Sequence, residues 1–229
     1  MNKTSGDITL TPEQSAVKAT VNTCLKQTVE EGVIYISNRG GYYKLSEEIV
    51  NYEEIAYHYY DGQIVMPTIE TIQEQLTMYI NDNLPVCLTT PELFIGKEVK
   101  FGNIETITII YPKNIEINVN YPITFSNADE KFILDNFNYK LGVRLGEIHT
   151  FLTDYMNNYQ LEHPLDIVLS QFEEFVQTND YYYYTVKEGS DMIFSIEDQT
   201  TTINEKTYMF FFVNNYDWKL EEVETNETE

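Results

Sequence analysis

A chain of 229 residues is long enough for one large domain or two small ones, each able to bury a core. Acids outnumber bases 37 to 14, a formal charge of −23, and no basic run offsets that field, so nucleic-acid binding and polybasic membrane docking are set aside. With 42% hydrophobic and 14% aromatic residues, the chain carries too much apolar side chain to read as a disordered acidic polymer.

Met1 to Leu10 lacks the apolar core of an export signal and reads as a flexible N-terminal segment. No stretch reaches the roughly 20 apolar residues of a membrane-spanning helix, so any anchor is expected to lie upstream of this chain. The first element opens at Thr11-Pro12-Glu13-Gln14, where Thr11 caps, Pro12 suits the first helical position and Gln14 completes a capping box. Ala16, Val17, Val21, Cys24, Leu25 and Thr28 then recur at helical spacing. Gly32 and the run Val33 to Ile36 are expected to end that helix, and Gly40-Gly41 reads as a turn needing positive φ.

Ile55 to Tyr60 and Gln63 to Met66 read as strands joined by a two-residue turn at Asp61-Gly62. Thr68 caps a second helix with Ile69, Ile72, Leu76, Tyr79, Ile80 and Leu84 on one side, closed by Pro85 just before Cys87. From Leu93 to Phe125 the period is two. Ile107, Ile109 and Tyr111 alternate with Thr106, Thr108 and Ile110, and Ile115, Ile117, Val119 and Tyr121 alternate with Glu116, Asn118 and Asn120. The expected product is an antiparallel meander with its apolar face covered.

Ser126 to Glu130 reads as a turn, and a further strand lies within Phe132 to Leu145, with Asp135 and Asn136 interrupting its pairing. Two more helices follow, over about 147–159 and from Pro164 through Val176. The chain then returns to strands at Tyr181 to Lys187, Met192 to Glu197 and Thr207 to Val213. The fold class is α+β: an antiparallel sheet or meander with four amphipathic helices against it. Residues 11–216 form the domain, with candidate subdivisions near 90 and 146, and 217–229 is an acidic tail expected to be disordered.

Chemistry-bearing patterns are sparse. No Gly-x-Ser-x-Gly elbow is present, and Gly40-Gly41 lacks the following lysine or spaced glycine of a phosphate loop. His58, His149 and His163 have no second histidine at metal-ligand spacing, so no cofactor is expected and divalent cations would bind weakly through surface charge. Glu53-Glu54 and Glu173-Glu174 read as solvated acids before they read as a glycosidase pair, and no catalytic residue is assigned. Cys24 and Cys87 are either packed thiols or one bridge, according to the redox compartment. The sequons at Asn2 and Asn226 sit at the termini and add little.

The 19 tyrosines and 12 phenylalanines exceed what a core of this size requires. Tyr181-Tyr182-Tyr183-Tyr184 must alternate faces on a strand, so two rings point inward and two outward. With Tyr42, Tyr43, Tyr57, Tyr59 and Tyr60 they are the candidate binding residues, suited to a protein partner or to stacking on sugar rings.

Three patches carry a resemblance. They are Val21-Asn22-Thr23-Cys24-Leu25 continuing through Thr28, Glu31-Gly32 and Gly40-Gly41-Tyr42; then Met78 to Cys87; then Asn120-Tyr121-Pro122-Ile123 with Val143-Arg144-Leu145-Gly146. In that order the chain, from about residue 16 to residue 214, resembles membrane-anchored surface proteins of small-genome archaea. The resemblance implies an extracytoplasmic domain behind an N-terminal anchor and a Cys24–Cys87 disulfide, and it brings no activity with it. Arg39 departs from the glutamine that often precedes the double glycine in that group. The reading that results is a non-enzymatic surface domain binding a protein or cell-surface component through tyrosines. A glycan-binding module and an extracytoplasmic hydrolase are the alternatives.

Overall fold

The computed structural model describes residues 10–89, 98–126, 131–160 and 165–216. Residues 1–9, positions 127–130 of the turn expected over 126–130, His163, both sequons and the acidic tail lie outside them. The capping box forms as the sequence predicts: Gln14 N donates to Thr11 Oγ1 at 3.2 Å, and Thr11 N donates to Gln14 Oε1 at 3.2 Å. Helix α1 runs Pro12–Ser37, past the expected stop at Gly32. That glycine is a packing residue inside the helix, since a Cβ there would sit 2.6 Å from the Tyr79 ring of the next helix. The chain then escapes through Gly40 and Gly41, both at positive φ, and added Cβ atoms would meet Ala56 and Ile72 at 3.0 Å.

Strands β1 (Asn51–Tyr52), β2 (Ile55–Tyr60) and β3 (Gln63–Ile64) precede helix α2 (Ile69–Cys87), in which Pro85 falls within the last turn instead of closing the helix. Ile72, Leu76, Ile80 and Leu84 are all fully buried. Cys24 and Cys87 are joined in a disulfide, with Cα atoms 5.8 Å apart at a sequence separation of 63, so α1 and α2 are covalently tied.

Two sheets flank this pair. In the first, β4 (Glu98–Phe101) and β5 (Glu105–Tyr111) lie end to end along one edge of β6 (Asn114–Ser126), and β7 (Lys131–Gly142) pairs with the other edge, all antiparallel. Pro122 sits in the central strand, where a missing N–H ordinarily forbids it. The ladder slips there on both sides: Phe101 and Leu134 oppose Ile123, whereas Glu105 and Asn136 oppose Asn120. Gly102 N donates to Pro122 O at 2.7 Å within that irregularity.

Ile115, Ile117, Val119, Tyr121, Ile123 and Phe125 face the core as their alternation predicts. Strand β5 does not follow its own alternation. Thr106, Thr108 and Ile110 turn inward, and Ile107, Ile109 and Tyr111 face out. The cause is helix α2, which lays a polar stripe of Gln73, Thr77 and Asn81 along this edge strand. Thr106 Oγ1 donates to Asn81 Oδ1 at 2.6 Å, and Thr77 Oγ1 donates to Thr108 Oγ1 at 2.8 Å. Gln73 Oε1 accepts the Ile110 N–H at 2.9 Å. A buried edge needs partners for its polar groups more than it needs two more apolar side chains.

Helix α3 (Leu145–Tyr155) passes into a π-helical turn (Met156–Gln160), and α4 (Leu165–Thr178) follows. The second sheet has the order β1-β2-β10-β9-β8, with β3 also on β2. Its strands β8 (Tyr181–Glu188), β9 (Asp191–Ile203) and β10 (Lys206–Asn215) form an antiparallel meander, and β2 joins β10 in parallel. Both sheets and the helices share one continuous hydrophobic core. The α+β reading holds.

His58 is fully buried on β2, stacked on Phe212 with ring centroids 4.9 Å apart, and its Nε2 donates to Gly40 O at 3.1 Å. Burial pushes its pKa down to about 3, with the His149 charge adding to that and the Gly40 contact opposing it. The folded protein therefore holds His58 neutral, while the unfolded chain takes up the proton near the ordinary value of 6.5.

Two outcomes follow. A Cys24→Ser/Cys87→Ser chain should unfold at lower denaturant, with about 4 kcal/mol lost to the freed loop, measured by urea melts. For the wild type, the His58 contribution to stability is intact above pH 6.5 and falls by up to about 1.4 kcal/mol per pH unit as pH drops below that value. His58→Phe should flatten that dependence in melts taken across the same range.

Candidate functional site

The site grows from the turn between α4 and β8. Helix α4 ends at Thr178, and Asp180, at positive φ, reverses the chain into β8. Phe172, Phe175 and Val176 of the helix face the sheet, so the strand's inward side chains must meet them. The Tyr181 ring stacks on Phe175 at 5.7 Å, and Tyr183 sets its edge against Phe172 at 5.1 Å while its hydroxyl donates to Glu173 at 2.7 Å. Burial and the Glu173 carboxylate raise the Tyr183 pKa to about 12. Tyr182 and Tyr184 take the other face, 58% and 55% exposed, with Val186 at 53% beside them.

What holds this corner is Arg144, the residue that leads β7 into α3. Its Nε donates to Asp198 Oδ2 at 2.9 Å, and a second guanidinium nitrogen donates to Asp198 Oδ1. The remaining donors reach Asn179 O at 2.8 Å and Asp180 O at 3.2 Å, and the guanidinium lies 3.9 Å from the centre of the Tyr181 ring. Asp198 is wholly buried. Its carboxylate also accepts from Thr200 N and Thr200 Oγ1, both at 2.9 Å. Burial pushes the Asp198 pKa up, but Arg144, Thr201 and Thr200 together outweigh it and hold the group below the usual carboxylate range.

The same contact explains a break in the ladder. Tyr208 opposes Asp198, but the next pair, Thr207 and Thr202, leaves residues 199–201 of β9 bulged out. Gln199 N donates across to Asp180 O at 3.3 Å. A groove of about 450 Å3 opens there, bounded by Gln177, Asp180, Tyr181, Tyr182, Tyr183 and Gln199. It offers aromatic surface, two neutral amides and one carboxylate beside the outward Tyr182 ring. Among the described residues β8 pairs on one side only, with β9, so its other edge leaves backbone donors and acceptors open.

The remaining sequence candidates do not join this site. Tyr42 and Tyr57 are buried and present no ring to solvent. Tyr57 packs on Tyr60 at 4.9 Å, and Tyr59 packs on Tyr216 at 6.1 Å. Tyr43 belongs to a separate cluster with Tyr35 and Tyr79, with centroids 5.1–5.7 Å apart. Lys44 flanks that cluster over Tyr43 and pairs with Asp82 at 2.7 Å. Arg39, just before the double glycine, donates to Tyr35 and to Glu54 at 3.0 and 2.9 Å and so secures the β1–β2 turn. Glu53 and Glu54 occupy that turn, both at positive φ.

Sequence reasoning missed Arg144 and Asp198 as partners, because 54 residues separate them and the Val143-Arg144-Leu145-Gly146 patch says nothing of Asp198. The one available signal was scarcity: the chain has two arginines, Arg39 and Arg144, and each fixes a turn. No group of three or more metal-ligating side chains occurs among the described residues, and no helix there is long and apolar enough to cross a membrane, which says nothing of a β-barrel. Comparison of the chain with protein-family models, curated proteins and solved structures finds no match.

Removing Arg144 strands a carboxylate that is wholly buried. Arg144→Met should cost about 3–5 kcal/mol in urea melts, and combining it with Asp198→Asn should recover part of that loss. Equal and additive losses would show the two groups to be energetically independent.

Proposed function

We propose that this chain is a non-enzymatic binding domain of an extracytoplasmic surface protein, tethered by a membrane anchor outside this sequence. In this reading it captures a protein partner on the β8 face. The observation that carries the reading is the pairing of two outward tyrosines with a strand edge that no other described strand covers. Tyr182, Tyr184 and Val186 expose apolar and aromatic surface in one row, while Tyr181 and Tyr183 are locked beneath them by α4. Rings that the core does not use, mounted on a strand that the core holds rigid, lose little entropy on contact. The Cys24–Cys87 disulfide supports an oxidising compartment, where such bonds persist.

The groove supports binding over hydrolysis, because it brings a single acid, Asp180, together with amides and rings. Glu197 lies beside Tyr184, and its charge, a hydrogen bond and slight burial raise the hydroxyl's pKa. With a chain charge of −23, this surface favours a partner that is basic where it meets the strand.

Tyr182→Ala/Tyr184→Ala, immobilised and challenged with envelope extract of the source organism, should retain less than about a tenth of the wild-type capture, as loss of aromatic anchors predicts. Its melting temperature should stay within about 2 °C of wild type, because both rings are exposed. Unchanged capture would remove this face from the function, and a large loss of stability would reassign the rings to the core.

A further inference from the structure

The outer face of the first sheet carries an arrangement that packing does not require. Register sets Asn118 opposite Asn138 and Asn120 opposite Asn136, a two-by-two block of asparagines in the middle of β6 and β7. All of them are exposed. Asparagine is among the residues least suited to strand interiors, and a solvated sheet face is better served by threonine, lysine or glutamate. Four poor strand formers at adjoining positions are a local choice made against the fold. Such conflicts concentrate where a chain has a task besides folding.

The block has the shape of a site. A shallow depression of about 280 Å3 lies over it, bordered by Glu105 and Ile107 of β5. Ile107 is 63% exposed, the result of the β5 inversion, and stands in the same row as Asn118 and Asn138. Asn120 Nδ2 donates to Asn136 Oδ1 at 3.2 Å, and Asn136 Nδ2 donates to Asp135 Oδ1 at 2.7 Å, so one row of amides is held in place by its neighbours. The amides of Asn118 and Asn138 stand in the next row. On the far side, Glu116 and Lys140 neutralise each other at 2.8 Å.

We propose that this asparagine face of β5, β6 and β7 binds a neutral glycan, with the amides meeting sugar hydroxyls and Ile107 contacting the apolar face of a ring. An amide offers two donors and an acceptor with two lone pairs, which matches hydroxyls that both give and take hydrogen bonds. Charge selects the class. An anionic ligand would work against a chain of −23, and a cation would need several gathered ligands, whereas this block sets four amides beside the acids Glu105 and Asp135, with no group of three or more metal-ligating side chains among the described residues. The depression is smaller than the closed pockets of about 300–1,000 Å3 that engulf small molecules, and it suits a saccharide chain laid across a surface. This site is separate from the β8 tyrosines.

The test is NMR titration of the protein with maltohexaose, cellohexaose, chitohexaose and mannohexaose, with sialyllactose as the anionic comparison. The expected result is that at least one neutral chain shifts the side-chain amide signals of Asn118 and Asn138 in a saturable way, and that sialyllactose does not. Asn118→Thr/Asn138→Thr should abolish those shifts while holding or raising thermal stability, since threonine suits strands better. If that pair does not fold, Asn138→Asp, which keeps the size and adds charge, should weaken binding at least tenfold. Tyr182→Ala/Tyr184→Ala should leave the shifts unchanged, so failure of the β8 reading is distinguishable from failure here. No shift with any neutral chain, shifts that survive the threonine pair, or shifts centred on Tyr182 and Tyr184 would each overturn the proposal.

Discussion

A half-buried guanidinium between two sheets organises this molecule. Arg144 stands where β7 turns into α3, and from there it holds the carboxylate of Asp198 on β9 and the carbonyls of Asn179 and Asp180 after α4. The planar fork satisfies acceptors in several directions at once, which a lysine ammonium on a flexible stem does less well. The desolvation of Asp198 is offset because its oxygens also receive Thr200. The first sheet, the α4–β8 turn and the bulge in β9 are therefore positioned by one cluster. The disulfide does comparable service at the other end, fastening the helices that cover the first sheet.

The candidate surface is a consequence of that fixing. Tyr181 lies between Arg144 and Phe175, so the strand that follows has no freedom to rotate about its axis. Alternation then dictates that Tyr182 and Tyr184 point away. A binding face made this way is rigid because its reverse side is core. The same logic produces the asparagine face, whose reverse is the buried row Val119, Ile117 and Phe137. The first sheet thus buries one surface and presents the other, and the second sheet does the same at Tyr181 to Tyr184 of its β8 edge, while β2 and β10 are buried on both faces around His58 and Val213.

The glycines and prolines show how closely function and packing can be confused in a sequence. Gly32, Gly40, Gly41 and Gly146 stand in patches that stand out in the sequence, and each meets a steric demand. At Gly146 an added Cβ would run into the Tyr111 carbonyl, at Gly32 into Tyr79, and at the double glycine into Ala56 and Ile72. Pro122 shapes the slip in the first sheet's ladder. These positions describe how the chain passes itself, and the surfaces available for recognition lie elsewhere.

Local chemistry was legible from the residues alone: the Thr11 cap, the Asp61-Gly62 turn, the apolar stripe of α2, the inward row of β6 and the two-in, two-out division of Tyr181 to Tyr184. Each depends on neighbours within a few positions, so spacing and residue type suffice. The length of α1, the inversion of β5, the Arg144–Asp198 pair and the asparagine block were not legible. Each depends on an element distant in sequence: Tyr79 against Gly32, the α2 polar stripe against β5, β9 against the start of α3, and the β6–β7 register. Periodicity reports which residues share a face. Only the packed chain decides which face meets apolar side chains and which meets hydrogen-bond partners, because that choice is made by whatever lies opposite.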